Sequence, residues 1–177
     1  GTADSLALTV KASGAVAAGS ITAAGIESIT VNATDSSATA KAGGTSDSVT
    51  LVATSAATVT VTGNTTLAVT GDSTNAKLAT VDASGMTGGL SYTALGALAQ
   101  TIKGGATANT LAAHSSSTLA DTLIGGAGND QITANAGLDT LTGNGGNDTF
   151  VVQTAGSSLN VYSTITDANS GDTLKLK

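Results

Sequence analysis

Residues 116–151 divide into four blocks of nine: SSTLADTLI (116–124), GGAGNDQIT (125–133), ANAGLDTLT (134–142) and GNGGNDTFV (143–151). The sixth position is Asp in each (Asp121, Asp130, Asp139, Asp148), and the eighth is large and apolar (Leu123, Ile132, Leu141, Phe150). Self-similarity at a fixed short period is the mark of a solenoid, whose repeats bury their apolar faces only against neighbouring repeats. Small residues at positions one to four let the backbone turn tightly, and positions seven to nine suit a short strand that drops its apolar residue inward. With two blocks per turn, Asp121 lies over Asp139 and Asp130 over Asp148.

Upstream, GGATANTLA (104–112) reads as a degenerate first block, with Thr107 at position four and Asn109 at position six. Ala113-His114-Ser115 then interrupts the period, and His114, alone among serines, reads as a loop residue. Further back, alternating segments rich in β-branched residues predict strands at 6–10, 28–32, 48–52, 58–62, 66–70, 78–81, 89–93 and 100–102. Their spacing alone would also fit a sandwich or barrel. Continuity favours one stack: apolar residues run from Val49 through Val59, Leu67, Leu78, Leu90, Ile102 and Leu111 into the blocks. The ladder is expected to begin near Val49. Residues 164–167 and 171–176 are expected to form a strand pair that closes the last rung, because an open edge would pair with other chains. The fold class is therefore all-β: a parallel β-solenoid with an irregular Ala/Thr-rich β-helix-like region (1–103), a nonapeptide β-roll (104–151) and short capping strands (152–177).

Composition agrees with a narrow core. Cys, Pro and Trp are absent and aromatic residues make up 2 % of the chain, so Val, Ile, Leu and Ala must fill the interior. The net charge is −6 and no cluster of basic residues could neutralise phosphates, which argues against nucleic acid as a partner. No apolar run approaches the roughly 20 residues of a membrane helix, so membrane insertion is not expected. The chain begins at Gly1 without a recognisable signal peptide and is expected to be a piece of a longer protein.

The spacing of the carboxylates points to calcium. Like charges stacked one rung apart, about 4.8 Å, repel unless a cation lies between them. Calcium takes six to eight oxygen ligands in flexible geometry, and tight glycine turns expose backbone carbonyls that can complete the shell. As a bare alternative these Asp are turn residues. Four at one unbroken period, each two before a core residue, argue otherwise. Asp35, Asp47, Asp72 and Asp82 lack that period and read as surface turns.

Block 125–133 matches the GGxGxDxUx motif in full, and the chain resembles the RTX calcium-binding family. Blocks 134–142 and 143–151 keep Asp and the apolar residue but lose one or two glycines, and block 116–124 lacks all three. The resemblance implies how ligands are shared. Carbonyls come from positions one and three of one loop and from two and four of the next loop on that side, with both Asp. One site would then use Gly125, Ala127, Asp130, Asn144, Gly146 and Asp148. A second would use Ser116, Thr118, Asp121, Asn135, Gly137 and Asp139. A third would pair loop 104–109 with loop 125–130, Gly128 included, and neutral Asn109 would leave it weaker or empty. Asp167 and Asp172 would complete a site near the cap. The expected cofactor is therefore calcium, about two to four ions.

No arrangement for catalysis is visible: no spaced Ser/His/Asp set, no phosphate loop, no zinc-binding His pair. The stretches 24–35, 48–64 and 81–85 resemble the Ala/Thr-rich β-helix of RTX surface-layer proteins of the Caulobacter kind, which runs straight into RTX repeats. That resemblance implies a non-catalytic structural module of a secreted Gram-negative surface protein. It would leave through a type I exporter and self-assemble into a lattice with calcium, with any polysaccharide contact made by domains outside this chain. An adhesin or ice-binding segment, with Thr58, Thr60 and Thr62 as the binding face, and the secretion module of an RTX enzyme are the alternatives.

Overall fold

A computed structural model describes residues 3–35, 47–115, 119–153 and 162–177. Strands alternate between two sheets, and every pairing is parallel. The first sheet stacks β1 (Ser5–Ala12), β3 (Ser28–Asp35), β5 (Thr58–Gly63), β7 (Thr80–Met86), β9 (Thr101–Lys103), β11 (Thr122–Gly126), β13 (Thr140–Asn144) and β15 (Thr164–Ile165). The second stacks β2 (Ala17–Thr22), β4 (Asp47–Val52), β6 (Leu67–Gly71), β8 (Leu90–Thr93), β10 (Thr110–Ala112), β12 (Gln131–Ala134), β14 (Thr149–Val152) and β16 (Thr173–Leu176). Each turn of chain lays one strand in each sheet, which is a two-faced parallel β-solenoid.

Register follows from the apolar residues, because a slip of one would turn every inward side chain to solvent. In the first sheet Leu6, Ile29, Val59, Val81, Ile102, Leu123, Leu141 and Ile165 stack in one column. In the second, Val49, Val69, Tyr92, Leu111, Ile132, Phe150 and Leu174 do the same. From Ile29 to Leu141 the first column is fully buried, each large side chain contributing on the order of 1.5–3 kcal/mol. The sheets run without a break through residues 103 and 104, so the β-helix-like turns and the nonapeptide turns share one core.

Three expectations change. The stack begins at β1 rather than near Val49, and β2, in a stretch rich in Ala and Gly, carries too weak an alternation to read as a strand. Leu67, Leu78 and Leu90 are buried but stand outside the two central columns, and Leu67 and Leu90 stack on each other at the start of β6 and β8. Leu78 fills a turn, while Leu67 and Leu90 occupy the position just before the strand residues that stack with Thr110. The terminal strands do not pair with each other as a lid. β15 continues the first sheet and β16 the second, forming one more turn on which Leu174 and Leu176 stay exposed.

Candidate metal centre

The expected stacking of carboxylates is present. Thr122 is in register with Thr140 and Gln131 with Thr149, so the Asp before each of these residues lies over its counterpart one turn on. Asp121 and Asp139 form one pair, Asp130 and Asp148 the other. Within each pair the upper backbone N–H donates to Oδ1 of the lower Asp: Asp121 N to Asp139 at 2.9 Å, and Asp130 N to Asp148 at 2.8 Å. Asp148 N donates in turn to Oδ1 of Asp172 at 2.8 Å, so the cap extends the second column by one carboxylate. Asp167 lies one loop below Gly143 and Asn144 and accepts both of their N–H groups, at 2.9 and 2.7 Å.

All four repeat Asp are buried, 1–2 % exposed. One oxygen of each donor-matched pair is accounted for by the N–H ladder. Oδ2 of Asp130 and Oδ2 of Asp139 are buried with no hydrogen-bond partner. Orphaned buried oxygens are costly, and a charged one costs most. Among the described residues, no three carboxylate or imidazole side chains are grouped to hold an ion by themselves. Carbonyls must therefore supply the remaining ligands.

The glycines show where those carbonyls are. A Cβ on Gly125 would strike Oδ2 of Asp130 and lie 2.7 Å from the Gly143 carbonyl oxygen of the next loop. One on Gly143 would strike Oδ2 of Asp148. In blocks 125–133 and 143–151 position one is Gly because the carboxylate of the same loop packs against it. The Gly143 carbonyl faces back toward the preceding loop. Those of Gly105 and Gly128, at positions two and four, face forward against Gly126 and Gly146. For Gly125 this differs from the sharing implied by the resemblance. The gap between loops 125–130 and 143–148 is bounded by forward carbonyls at positions two and four, Gly126 and Gly128, and by the backward carbonyl of Gly143. Gly125 O faces Gly104 instead. The cause is the alternation of carbonyl direction along an extended chain. Asn144, in the left-handed region at φ 67°, keeps the turn geometry without glycine, as Asn tolerates.

Burial pushes the Asp130 carboxyl up to about 6, against the opposing donors from Asn109 and with the charge of Asp148 adding to the rise. Burial likewise pushes Asp139 up to about 6; the Asp121 N–H opposes the shift and the Asp121 charge adds to it. Asp148 is raised by burial and by the charges of Asp172 and Asp167. Asp172 lies at the surface and is held down by the N–H groups of Asp148 and Asn169. Orphaned oxygens, like charges in stacks and surrounding carbonyls together describe a site for a hard cation, and calcium fits that donor set.

The predicted residues divide. Asp130, Asp148, Gly128 and Gly146 meet on one side of the solenoid, with Asp167 and Asp172 one loop below. Asp121, Asp139, Asn135 and Gly137 meet on the other, where Asn135 Nδ2 donates to the Ala113 carbonyl at 2.6 Å. Ser116 and Thr118 lie outside the described residues. His114 lies in the loop between β10 and β11, as expected, but it is buried. It is 4 % exposed, its N–H donates to Oδ2 of Asp121 at 2.6 Å, and Nδ1 lies 3.0 and 3.1 Å from the two carboxylate oxygens. Asp121 also accepts the N–H of Gln100 at 2.7 Å, so it carries nitrogen donors where Asp130 and Asp139 have an orphan. Asp47 is not a surface turn either: it is 1 % exposed and accepts the N–H of Val16 at 2.9 Å. Asp72 is a turn residue as expected, accepting from Thr74. Asp82 is not: it lies within β7, in register with Thr60 and Lys103, where it accepts from Ser84 and pairs with Lys103 at 2.9 Å. Gln100 was not anticipated, although it lies nine residues before Asn109 and two before the buried Ile102, so the period itself pointed to it.

No curated protein matches the chain. Residues 115–150 match the family model of the RTX calcium-binding nonapeptide repeat, in four copies. The segment with the stacked carboxylates is therefore a run of RTX calcium-binding repeats, built into a longer parallel β-solenoid.

Proposed function

We propose that this chain is a non-catalytic structural module of a secreted bacterial surface-layer protein, which completes its fold and assembles with copies of itself when calcium binds. The observation that carries the calcium half is the pair of orphaned Oδ2 atoms, on Asp130 and Asp139, in stacks matched to RTX repeats. Without a cation, burial and like charge oppose the folded repeats. With one, binding free energy becomes folding free energy. We take Gly126, Gly128, Asp130, Gly143 and Asp148 to hold one ion, and Asn144, Gly146, Asp148, Asp167 and Asp172 to surround a second. Asp121, Asp139 and Gly137 belong to a third on the opposite side. At the ~1 mM calcium outside cells, sites of ordinary extracellular affinity fill, whereas the exported chain would stay incompletely folded inside.

The surface role rests on the Ala/Thr-rich solenoid leading into the repeats without a break. Electron microscopy of the purified chain tests it: calcium-dependent two-dimensional arrays that Asp130→Ala prevents are expected. A chain that stays monomeric at all calcium concentrations would sink the assembly reading. An adhesin or ice-binding face is the second reading. Thr58, Thr80, Thr101, Thr122, Thr140 and Thr164 stack in one outward column. The column of Thr60 is crossed by Asp82 and Lys103, so an ice-binding array would have to be one residue wide. Thermal hysteresis in the pure chain would favour it.

A further inference from the structure

The columns that hold the carboxylates continue into the earlier turns, and their chemistry changes in the same order on both sides. On one side the stacked positions read Ala57, Ala79, Gln100, Asp121 and Asp139, each just before a registered strand residue. On the other they read Leu67, Leu90, Asn109, Asp130 and Asp148. Ahead of these lie Glu27 on the first side, which accepts the N–H of Asp4 at 2.8 Å, and buried Asp47 on the second, which accepts that of Val16 at 2.9 Å. From Ala57 and Leu67 onward, apolar residues give way to one amide and then to carboxylates. Both amides are buried, Gln100 at 1 % and Asn109 at 3 % exposure.

Asn109 makes the same rung contact as the Asp below it. Its Oδ1 accepts the N–H of Leu90 at 2.7 Å, as Oδ1 of Asp130 accepts that of Asn109 at 2.7 Å. The second side-chain atom differs. Nδ2 of Asn109 lies 3.1 Å from the Gly105 carbonyl and 2.7 Å from that of Thr107, positions two and four of its own loop. It lies 2.8 Å from Oδ1 of Asp130 in the next loop. In loop 125–130 the corresponding atom is Oδ2 of Asp130, which no donor meets. Gln100 acts similarly: Nε2 donates to the carbonyls of Leu95 at 2.6 Å and Leu78 at 3.2 Å, and Oε1 accepts from the Tyr92 hydroxyl at 3.0 Å.

We propose that the side-chain amides of Gln100 and Asn109 stand where the following turns need a cation, so that the turn 95–112 closes without metal and templates the calcium-dependent turns below it. An amide carries two N–H donors and no net charge. It satisfies carbonyls that a carboxylate would repel, and being covalently attached it does so at any calcium concentration, unlike a bound ion. The calcium column thus starts one loop later than the nonapeptide spacing alone suggests.

The proposal rests on the calcium-binding reading of the Asp pairs, and amide hydrogen exchange separates the two. In the wild-type chain, the N–H groups of Leu90 and Gly105, which both donate to Oδ1 of Asn109, are expected to exchange equally slowly in calcium and in chelator. Those of Asp130 and Thr149, which donate within the carboxylate turns, are expected to slow only with calcium. Asn109→Asp should bind one more calcium ion per chain and make Gly105 protection calcium-dependent. Wild-type Leu90 and Gly105 amides that lose protection in chelator together with Asp130 would overturn the proposal alone. So would an N109D chain that folds in calcium with unchanged stoichiometry. Exchange that ignores calcium everywhere overturns the calcium reading and the proposal with it. Should N109D not fold, the wild-type comparison decides.

Discussion

The turns before residue 95 and those after 119 share one pair of sheets but close their corners by different means. Between residues 53 and 95 the corner column holds Leu67 and Leu90 on one side and Ala57 and Ala79 on the other, and buried Asn75 spans its turn with bonds to Ala53 N and Leu51 O. The carboxylate at the head of the second column, Asp47, is met by the N–H of Val16. In the later turns the same columns hold Asp, and buried oxygens of Asp130 and Asp139 lack donors. An apolar or amide corner is complete when the chain folds. A carboxylate corner whose second oxygen no donor meets, as at Asp130 and Asp139, is complete only with an ion. One backbone architecture can therefore be made constitutive or calcium-dependent by a single residue per half-turn, provided a small residue, Gly or Ala, leaves room beside the carboxylate.

That contrast can be broken most sharply in the core. Leu90→Ala removes a fully buried side chain and should cost about 2–5 kcal/mol. Because its corner needs no ion, the loss in urea unfolding should be the same in calcium and in chelator. A calcium-dependent loss would mean that the earlier turns rely on the metal too.

Asp130→Ala should weaken calcium binding by at least the 10–100-fold typical of disturbing a ligand's support, about 1.4–2.8 kcal/mol. Calorimetric titration measures it. Stability in chelator should fall little or even rise, because the variant removes a buried charge. An unchanged calcium affinity would remove Asp130 from the site.

The pH dependence should differ in sign between the two states. In the metal-free chain Asp130 and Asp139 carry carboxyls pushed up by burial to about 6, against an ordinary value of 3.8. Between those values the folded repeats hold more protons than the unfolded chain, so stability falls as pH rises through the window. The metal-free repeats should therefore melt higher at about pH 4 than at about pH 7. With calcium the order reverses, because protons compete for the same oxygens. Melting curves at both pH values, with and without chelator, check the sign.

The smallest effect is expected at Asp72, which accepts from Thr74 in an exposed turn. Asp72→Ala should change stability by no more than about 0.5 kcal/mol, with calcium affinity untouched. A loss matching that of Asp130→Ala would undo the distinction between periodic and isolated Asp.

The repeats were legible because two constraints recur together: an Asp every nine residues and a core residue two positions later. The same pair extends back to Asn109 with Leu111 and to Gln100 with Ile102, but amides break the chemical pattern while keeping the positional one. His114 was opaque for a different reason. Its partner Asp121 is seven residues away across an insertion, so only the fold brings them together. Asp47 and Val16 meet across 31 residues, and no local spacing reports that. The direction of the carbonyls is set by strand alternation in three dimensions, which the motif does not encode.

Calcium titration of the metal-free chain, followed by far-UV circular dichroism, tests the central claim most directly. A partial strand signal in chelator, from the earlier turns, should rise saturably as calcium fills the carboxylate turns. A full strand signal in chelator that calcium leaves unchanged would contradict it.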